Sequence, residues 1–303
     1  MKLINCNFLL IFLALTSIYQ PACGQSKEII YGRKDGMALT MEVQKPEAES
    51  NERGIICIIS AGWTSNYNWI FLFRNLMKPL SDKGYTLFYV MHGSQPKYTV
   101  PEAIEDIKKA VRFIRYHASD YGIDPDHIGI TGGSAGGHLS LIIGTTGDAG
   151  NPSASDELER ISSRVQAVTC FFPPTDFLNY NFPGDNVAVH SDIDAFQAPF
   201  DFMEWNAETL HYYPVTDQDK RTEIGRQMSP YYFITPDDAP VYIVHGDADE
   251  LVPISQSEKV IKKLKEAGVP CELIIKEGGG HGIWPDMVTY ATGFVDWFDM
   301  YLK

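Results

Sequence analysis

Cysteine is scarce in this chain, and no arrangement of it suits a metal. Five cysteines occur among 303 residues, with no CxxC pair and no HExxH pattern. Neither a structural nor a catalytic zinc site is expected. Lysine- and arginine-rich runs are missing too, and the formal net charge is −14. That charge speaks against nucleic acid or an anionic membrane surface as a partner. No apolar run reaches the roughly 20 residues that a membrane-spanning helix needs. Internal repeats and low-complexity linkers are also absent. The chain reads as one globular domain, with no disulfide framework.

The first 24 residues differ from the rest. Lys2 is their only charge, Phe8 to Leu15 is apolar, and Ala22 and Gly24 place small residues before Gln25. This pattern predicts a secretory signal over residues 1–24 and a secreted or periplasmic protein. A lipid anchor on Cys23 is the alternative, although Gln20 and Pro21 fit the lipoprotein pattern poorly. The remaining chain, about 279 residues, is large enough for one α/β domain with a substantial core. Without Lys2 it carries 24 basic against 39 acidic residues, a net charge of −15. Its three cysteines, Cys57, Cys170 and Cys271, each sit in an apolar strand-like run, so buried thiols are expected.

Apolar runs alternate with helix-period stretches. Gly54 to Ser60 and Thr86 to Met91 read as strands buried on both faces. Residues 99–121 read as a helix. Thr99 and Glu102 form a capping box, Pro101 lies in the first turn, and Ile104, Ile107, Val111 and Ile114 share one face. Further strands are expected at 127–131, 165–172, 240–245 and 271–276, and helices at about 135–146, 255–267 and 285–302. The alternation predicts a mostly parallel central sheet with helices on both faces. Strands at about 28–31 and 37–43, with no helix between them, predict an antiparallel edge. Residues 173–235 break the alternation. Nine aromatics lie between Phe177 and Tyr213, among them Trp205, together with acidic Asp185, Asp192, Asp194, Asp201, Glu204 and Glu208. This insert reads either as a cap over a site or as a surface excursion with its own small aromatic core.

The most informative stretch is Gly132-Gly133-Ser134-Ala135-Gly136-Gly137. It joins the apolar run His127 to Ile130 to a helix-like segment, which makes a strand, a sharp turn and a helix with serine at the apex. This is the pattern of a nucleophile elbow. Gly132 and Gly136 leave room for the tight turn. The helix that follows directs its positive end at the serine and at any oxyanion formed there.

A serine hydroxyl needs a base within reach and an acid to orient that base. After the strand Val241 to Val244 comes His245-Gly246-Asp247-Ala248-Asp249-Glu250, which offers three acids. After the next strand comes Glu277-Gly278-Gly279-Gly280-His281-Gly282. Of eight histidines, His281 alone combines a glycine-rich loop, a position after the last strand and the order Ser, acid, His. His138 is expected to pack on the elbow helix, and His245 to hold the acid loop. His92, His117, His127, His190 and His211 show no partner pattern.

The stretches Pro101 to Ser140, Thr235 to Pro253 and Gly278 to Gly282 resemble α/β hydrolases of the esterase/lipase superfamily. Bacterial feruloyl- and acetylxylan-esterase-like enzymes are the nearest in pattern, and this group borders the prolyl-oligopeptidase catalytic domains. The resemblance spans nearly all of residues 50–300 except the insert. It implies an α/β-hydrolase fold with an inserted cap, and a catalytic set of Ser134, Asp249 and His281. Position alone leaves Asp247 and Asp249 both open; the family motif H-G-x-x-D-x-x-V-P places the acid at Asp249. Relatives often carry H-G-G-G-W where this chain has Ser60-Ala61-Gly62-Trp63, so only Gly-Trp is retained. The oxyanion hole is then expected from the backbone amides of Ala135 with Ala61 or Gly62. Trp63 either lines the substrate pocket or packs beneath the loop, and Trp205 is a second pocket candidate.

The implied activity is hydrolysis of short-chain or carbohydrate-linked esters through an acyl-enzyme, on a small-molecule or saccharide ester substrate. A serine peptidase of prolyl-oligopeptidase type is the alternative, since the same groups cleave amides. A non-catalytic binding protein on a hydrolase fold is the third reading, and it usually lacks one of the three residues. This chemistry requires no metal and no organic cofactor. Oligomeric state is not readable from the sequence.

Overall fold

The computed structural model describes residues 27–190 and 193–303. The expected leader over 1–24, with Cys23, lies outside them, as does Asp192 of the insert.

Two antiparallel strands, β1 (Lys27–Lys34) and β2 (Met37–Gln44), open the chain. Then come β3 (Gly54–Ile58), helices α1 (Ile70–Leu76) and α2 (Lys78–Asp82), and β4 (Thr86–Val90). Helices α3 (Val100–Tyr116) and α4 (Ala118–Tyr121) lead to β5 (Ile128–Gly133) and α5 (Ala135–Thr146). Strand β6 (Ala167–Phe171) is followed by the insert. The insert carries a hairpin, β7 (Met203–Asn206) with β8 (His211–Pro214), and helix α6 (Gln218–Gln227). The chain ends with β9 (Val241–Gly246), α7 (Ser255–Ala267), β10 (Cys271–Lys276) and α8 (Met287–Tyr301).

Eight strands form one sheet in the order β1-β2-β4-β3-β5-β6-β9-β10. From β4 to β10 all neighbours are parallel, and β1–β2 form the expected antiparallel edge. Strands β3, β4 and β6 are buried at every residue. Helices cover both faces of the sheet, so these strands meet no water and read as unbroken apolar runs. One face packs α3, α5, α7 and part of the insert. The other packs α1, α2 and α8. The capping box at Thr99 and Glu102 is formed, and the four apolar residues of α3 face the sheet. Each contributes about 1.5–3 kcal/mol by leaving water.

Three expectations need adjusting. The helix expected over 99–121 is two helices, because the backbone at His117 leaves the helical range between α3 and α4. Cys57 and Cys170 are buried free thiols, but Cys271 is only half-buried, since β10 is an edge strand. Among the described residues, the insert has no separate aromatic core. Its Phe177, Tyr180, Phe196, Phe200 and Phe202 are continuous with the main core, while its hairpin is exposed along both strands.

Candidate active site

The sheet order makes β3, β5, β6, β9 and β10 consecutive neighbours. The segments leaving their carboxyl ends therefore converge along one edge, where ligands bind in sheets of this type. Ser60–Trp63 follows β3, Ser134 follows β5, Phe172 follows β6, Asp249 follows β9, and His281 follows β10. Residues far apart in sequence meet because their strands are neighbours.

Ser134 occupies a strained position, with φ 54° and ψ −119°. Such a conformation persists only when its surroundings hold it. Two things do. The Ser134 amide donates to the Phe171 carbonyl at 3.0 Å, and the chain turns back closely on itself. A Cβ on Gly132 would lie 2.5 Å from the Gly136 carbonyl group, so only glycine fits there. Ala135 starts α5, and its amide has no intrahelical carbonyl to meet.

Ser134 Oγ and His281 Nε2 are 2.9 Å apart, and His281 Nδ1 and Asp249 Oδ2 are 2.8 Å apart. An ionised carboxylate only accepts, so His281 Nδ1 carries the proton and Nε2 accepts from the serine hydroxyl. The Asp249 carboxylate is buried. Its Oδ1 accepts from the amides of Leu251 and Val252 at 3.0 and 2.9 Å, and its Oδ2 also lies 3.4 Å from His245 Nε2. Burial alone would raise this carboxyl's pKa. The bonds to His245, His281 and Val252 outweigh it and hold the pKa well below the usual carboxylate range. Asp247 does different work: it is exposed, and its Oδ1 accepts from the Gly278 amide at 2.6 Å, tying the histidine loop to the acid loop. His245 holds the acid loop as expected, donating to the Val252 carbonyl at 2.9 Å and meeting Ser257 Oγ at 2.7 Å.

The turn after β3 corrects one expected oxyanion donor. The Ala61 amide donates to the Thr64 carbonyl at 3.0 Å, and the Thr64 amide returns the bond at 2.9 Å. Ala61 is therefore committed to a small bridge and does not offer its N–H. Gly62, at the tip with φ 54°, has open space around it, and no described residue accepts from its amide. Of the three amides expected as donors, those of Gly62 and Ala135 are thus the ones left without an acceptor among the described residues.

Trp63 is also corrected as a pocket residue. It is 2% exposed and packs edge-on against Phe177, Phe196 and Phe200 beneath the turn. A large apolar ring with one N–H gains most from burial when a partner takes that N–H. The partner is His138, whose Nδ1 accepts at 3.1 Å. The other ring nitrogen of His138 donates to the Met228 carbonyl at 2.6 Å. Burial is the main effect on His138 and lowers its pKa to about 4, against the opposing effect of the Met228 bond. Trp205 stands on the exposed hairpin, 51% accessible, with its ring against Tyr212.

Two contributors have no motif. Phe172 lies 4.7 Å, ring to ring, from His281 and backs the imidazole. His92 accepts from Ser60 Oγ at 2.9 Å and donates to the Gly93 carbonyl at 2.7 Å, fixing the start of the β3 turn. Each directly follows a core strand or comes within two residues of its end. That position at the carboxyl edge is the one signal that singles them out in the sequence.

An arrangement of this kind can take a proton from a hydroxyl and stabilise the resulting imidazolium.

Comparisons with known proteins bear on the family and the fold. The BD-FAE family profile matches residues 41–264. The probable carboxylic ester hydrolase LipM of Mycobacterium tuberculosis is 30% identical over 193 residues, which is 63% of this chain and 40% of LipM. The chain spans about half the length of the curated relatives it matches. Among solved structures, a truncated carbohydrate esterase from gut microbiota superposes with a TM-score of 0.71 at 27% identity, covering 91% of this chain and 96% of that one. The thermophilic esterase Est2 of Thermogutta terrifontis superposes with a TM-score of 0.69 at 24% identity, covering 92% and 95%. With its sheet order, its elbow and this match, the chain belongs to the BD-FAE family and is an α/β hydrolase of the esterase/lipase superfamily.

Proposed function

We propose that this protein is a secreted serine carboxylic ester hydrolase that works through an acyl-enzyme. The observation that carries the reading is the unbroken chain from Ser134 Oγ through His281 to the buried Asp249 carboxylate. His281 takes the hydroxyl proton as Ser134 attacks the ester carbonyl. The amides of Gly62 and Ala135 stabilise the charge that develops on the carbonyl oxygen. Asp249 holds the imidazole in the tautomer that can accept this proton and stabilises the charged ring. The alcohol leaves with the proton from His281. Water then attacks the acyl group along the same route and frees Ser134.

Short-chain or carbohydrate-linked esters are the proposed substrates. Support comes from the similarity to a carbohydrate esterase and from the exposed Trp205 and Tyr212, since aromatic faces stack on sugar rings. Secretion rests on the pattern of residues 1–24.

The test is Ser134→Ala assayed on an aryl acetate, on acetylated xylan and on a peptide anilide. The wild-type protein should cleave the esters in preference to the anilide. The variant should lose at least about a thousandfold in kcat. Wild-type turnover by Ser134→Ala would overturn the serine mechanism, and preferential cleavage of the anilide would favour a peptidase.

A further inference from the structure

The turn that carries the Gly62 amide is held from both ends by buried histidines, neither of which belongs to the Ser134–His281–Asp249 chain. At its start, Ser60 donates to His92. At its end, the Trp63 indole donates to His138. Between them, Gly62 and Trp63 both take positive φ values, 54° and 55°. For tryptophan this conformation is strained, and it lasts only while something else holds the residue. What holds it is visible. The indole N–H is tied to His138, and the ring is enclosed by Phe177, Phe196 and Phe200 of the insert.

His138 joins three parts of the molecule. It lies on α5 one turn beyond Ser134, and its amide donates to the Ser134 carbonyl at 2.8 Å. Its Nδ1 accepts from Trp63, and its Nε2–H donates to the Met228 carbonyl, just past α6 in the insert. A carbonyl only accepts and an indole only donates, so both ring nitrogens are assigned without ambiguity. The ring is fully buried, and a polar group there without partners is costly.

We propose that Trp63 and His138 form a positioning relay, through which the seating of the insert sets the place of the Gly62 amide relative to Ser134. Neither residue touches substrate. The relay acts on an amide whose value lies in the transition state, so its loss lowers kcat and leaves KM nearly unchanged. This inference rests on the proposed ester hydrolysis and on Gly62 as an oxyanion donor.

The experiment measures kcat and KM for an aryl acetate in the wild type and four variants, with thermal unfolding of each. Trp63→Phe keeps a smaller aromatic ring and removes the N–H. His138→Leu removes both bonds. His138→Gln can keep an acceptor for Trp63 and a donor for Met228. Phe200→Leu thins the packing of the insert on Trp63 with the hydrogen bonds in place. Trp63→Phe and His138→Leu should each lose about tenfold to a hundredfold in kcat, with KM within about twofold. His138→Gln should recover to within a few-fold of wild type, and Phe200→Leu should lower kcat by a few-fold at constant KM. If Trp63→Phe or His138→Leu does not fold, Phe200→Leu carries the same test. Unchanged kcat in folded Trp63→Phe, His138→Leu or Phe200→Leu, or a loss expressed in KM, would overturn the relay. No turnover in the wild type would instead overturn the proposed function, so the two failures are distinct.

Discussion

Replacing Asp249 with asparagine tests the polarity of the whole chain by changing a single atom. Asp249 Oδ1 accepts from two backbone amides, of Leu251 and Val252, at 3.0 and 2.9 Å. An asparagine must place its carbonyl oxygen there, because an NH2 group would face two donors. Its NH2 then occupies the place of Oδ2 and points at His281 Nδ1, 2.8 Å away in the native protein. The imidazole must now accept at Nδ1, which moves its proton to Nε2. In that tautomer it cannot take the proton of Ser134. A comparable forced tautomer costs about 10⁴ in kcat, or about 5.5 kcal/mol of transition-state stabilisation. The backbone bonds are kept, so the fold should survive. Asp247→Asn is the control. Its oxygen can still accept from Gly278, and a loss under about threefold is expected. Aryl acetate hydrolysis under saturating substrate, with far-UV circular dichroism to verify folding, gives both numbers. The reasoning fails if Asp249→Asn keeps activity within about tenfold of wild type, or if Asp247→Asn loses more.

Two further outcomes follow from buried contacts. Burial is the main cause that lowers the pKa of His92 and of His138 from the ordinary 6.5 to about 4. The unfolded chain binds those protons first as pH falls, so this stability is complete above about pH 6.5 and is lost down to about pH 4. The loss is about 3 kcal/mol per histidine over the full window. Urea midpoints at pH 7.5 and 4.5 measure it, His138→Gln should flatten the dependence, and a pH-independent midpoint would contradict it. At Gly246, a Cβ would lie 2.1 Å from the Gly279 carbonyl oxygen. Gly246→Ala should therefore push the histidine loop from the acid loop, lowering kcat by at least about tenfold and stability by about 1–3 kcal/mol. Wild-type turnover and an unchanged melting temperature would show that this close approach is not needed.

Much of the fold was legible because buried parallel strands have no solvent face. Ile55 to Ile58 and Leu87 to Val90 are apolar throughout for that reason. The elbow was legible because its glycines answer a steric demand that no other residue meets. The insert was not. Its aromatics show no long helical or strand period, since Phe177, just after β6, meets Trp63 together with Phe196 and Phe200, which end two short 3-10 helices. Cys271 looked as buried as Cys57 because an apolar run does not say whether its strand is central or at an edge.

The sequence by itself determined the alternation of strands and helices, the strained turn at Ser134, and the order in which serine, acid and histidine occur. These are local matters of period, sterics and chain order. Only the tertiary structure decided that the Ala61 amide is taken up by Thr64 while that of Gly62 is not. It also separated the work of Asp247 from that of Asp249, and it turned Trp63 inward onto His138. Each of those choices is made by a hydrogen-bond partner or a packing neighbour that is distant in sequence or set by how a loop folds, and residue type alone does not specify it.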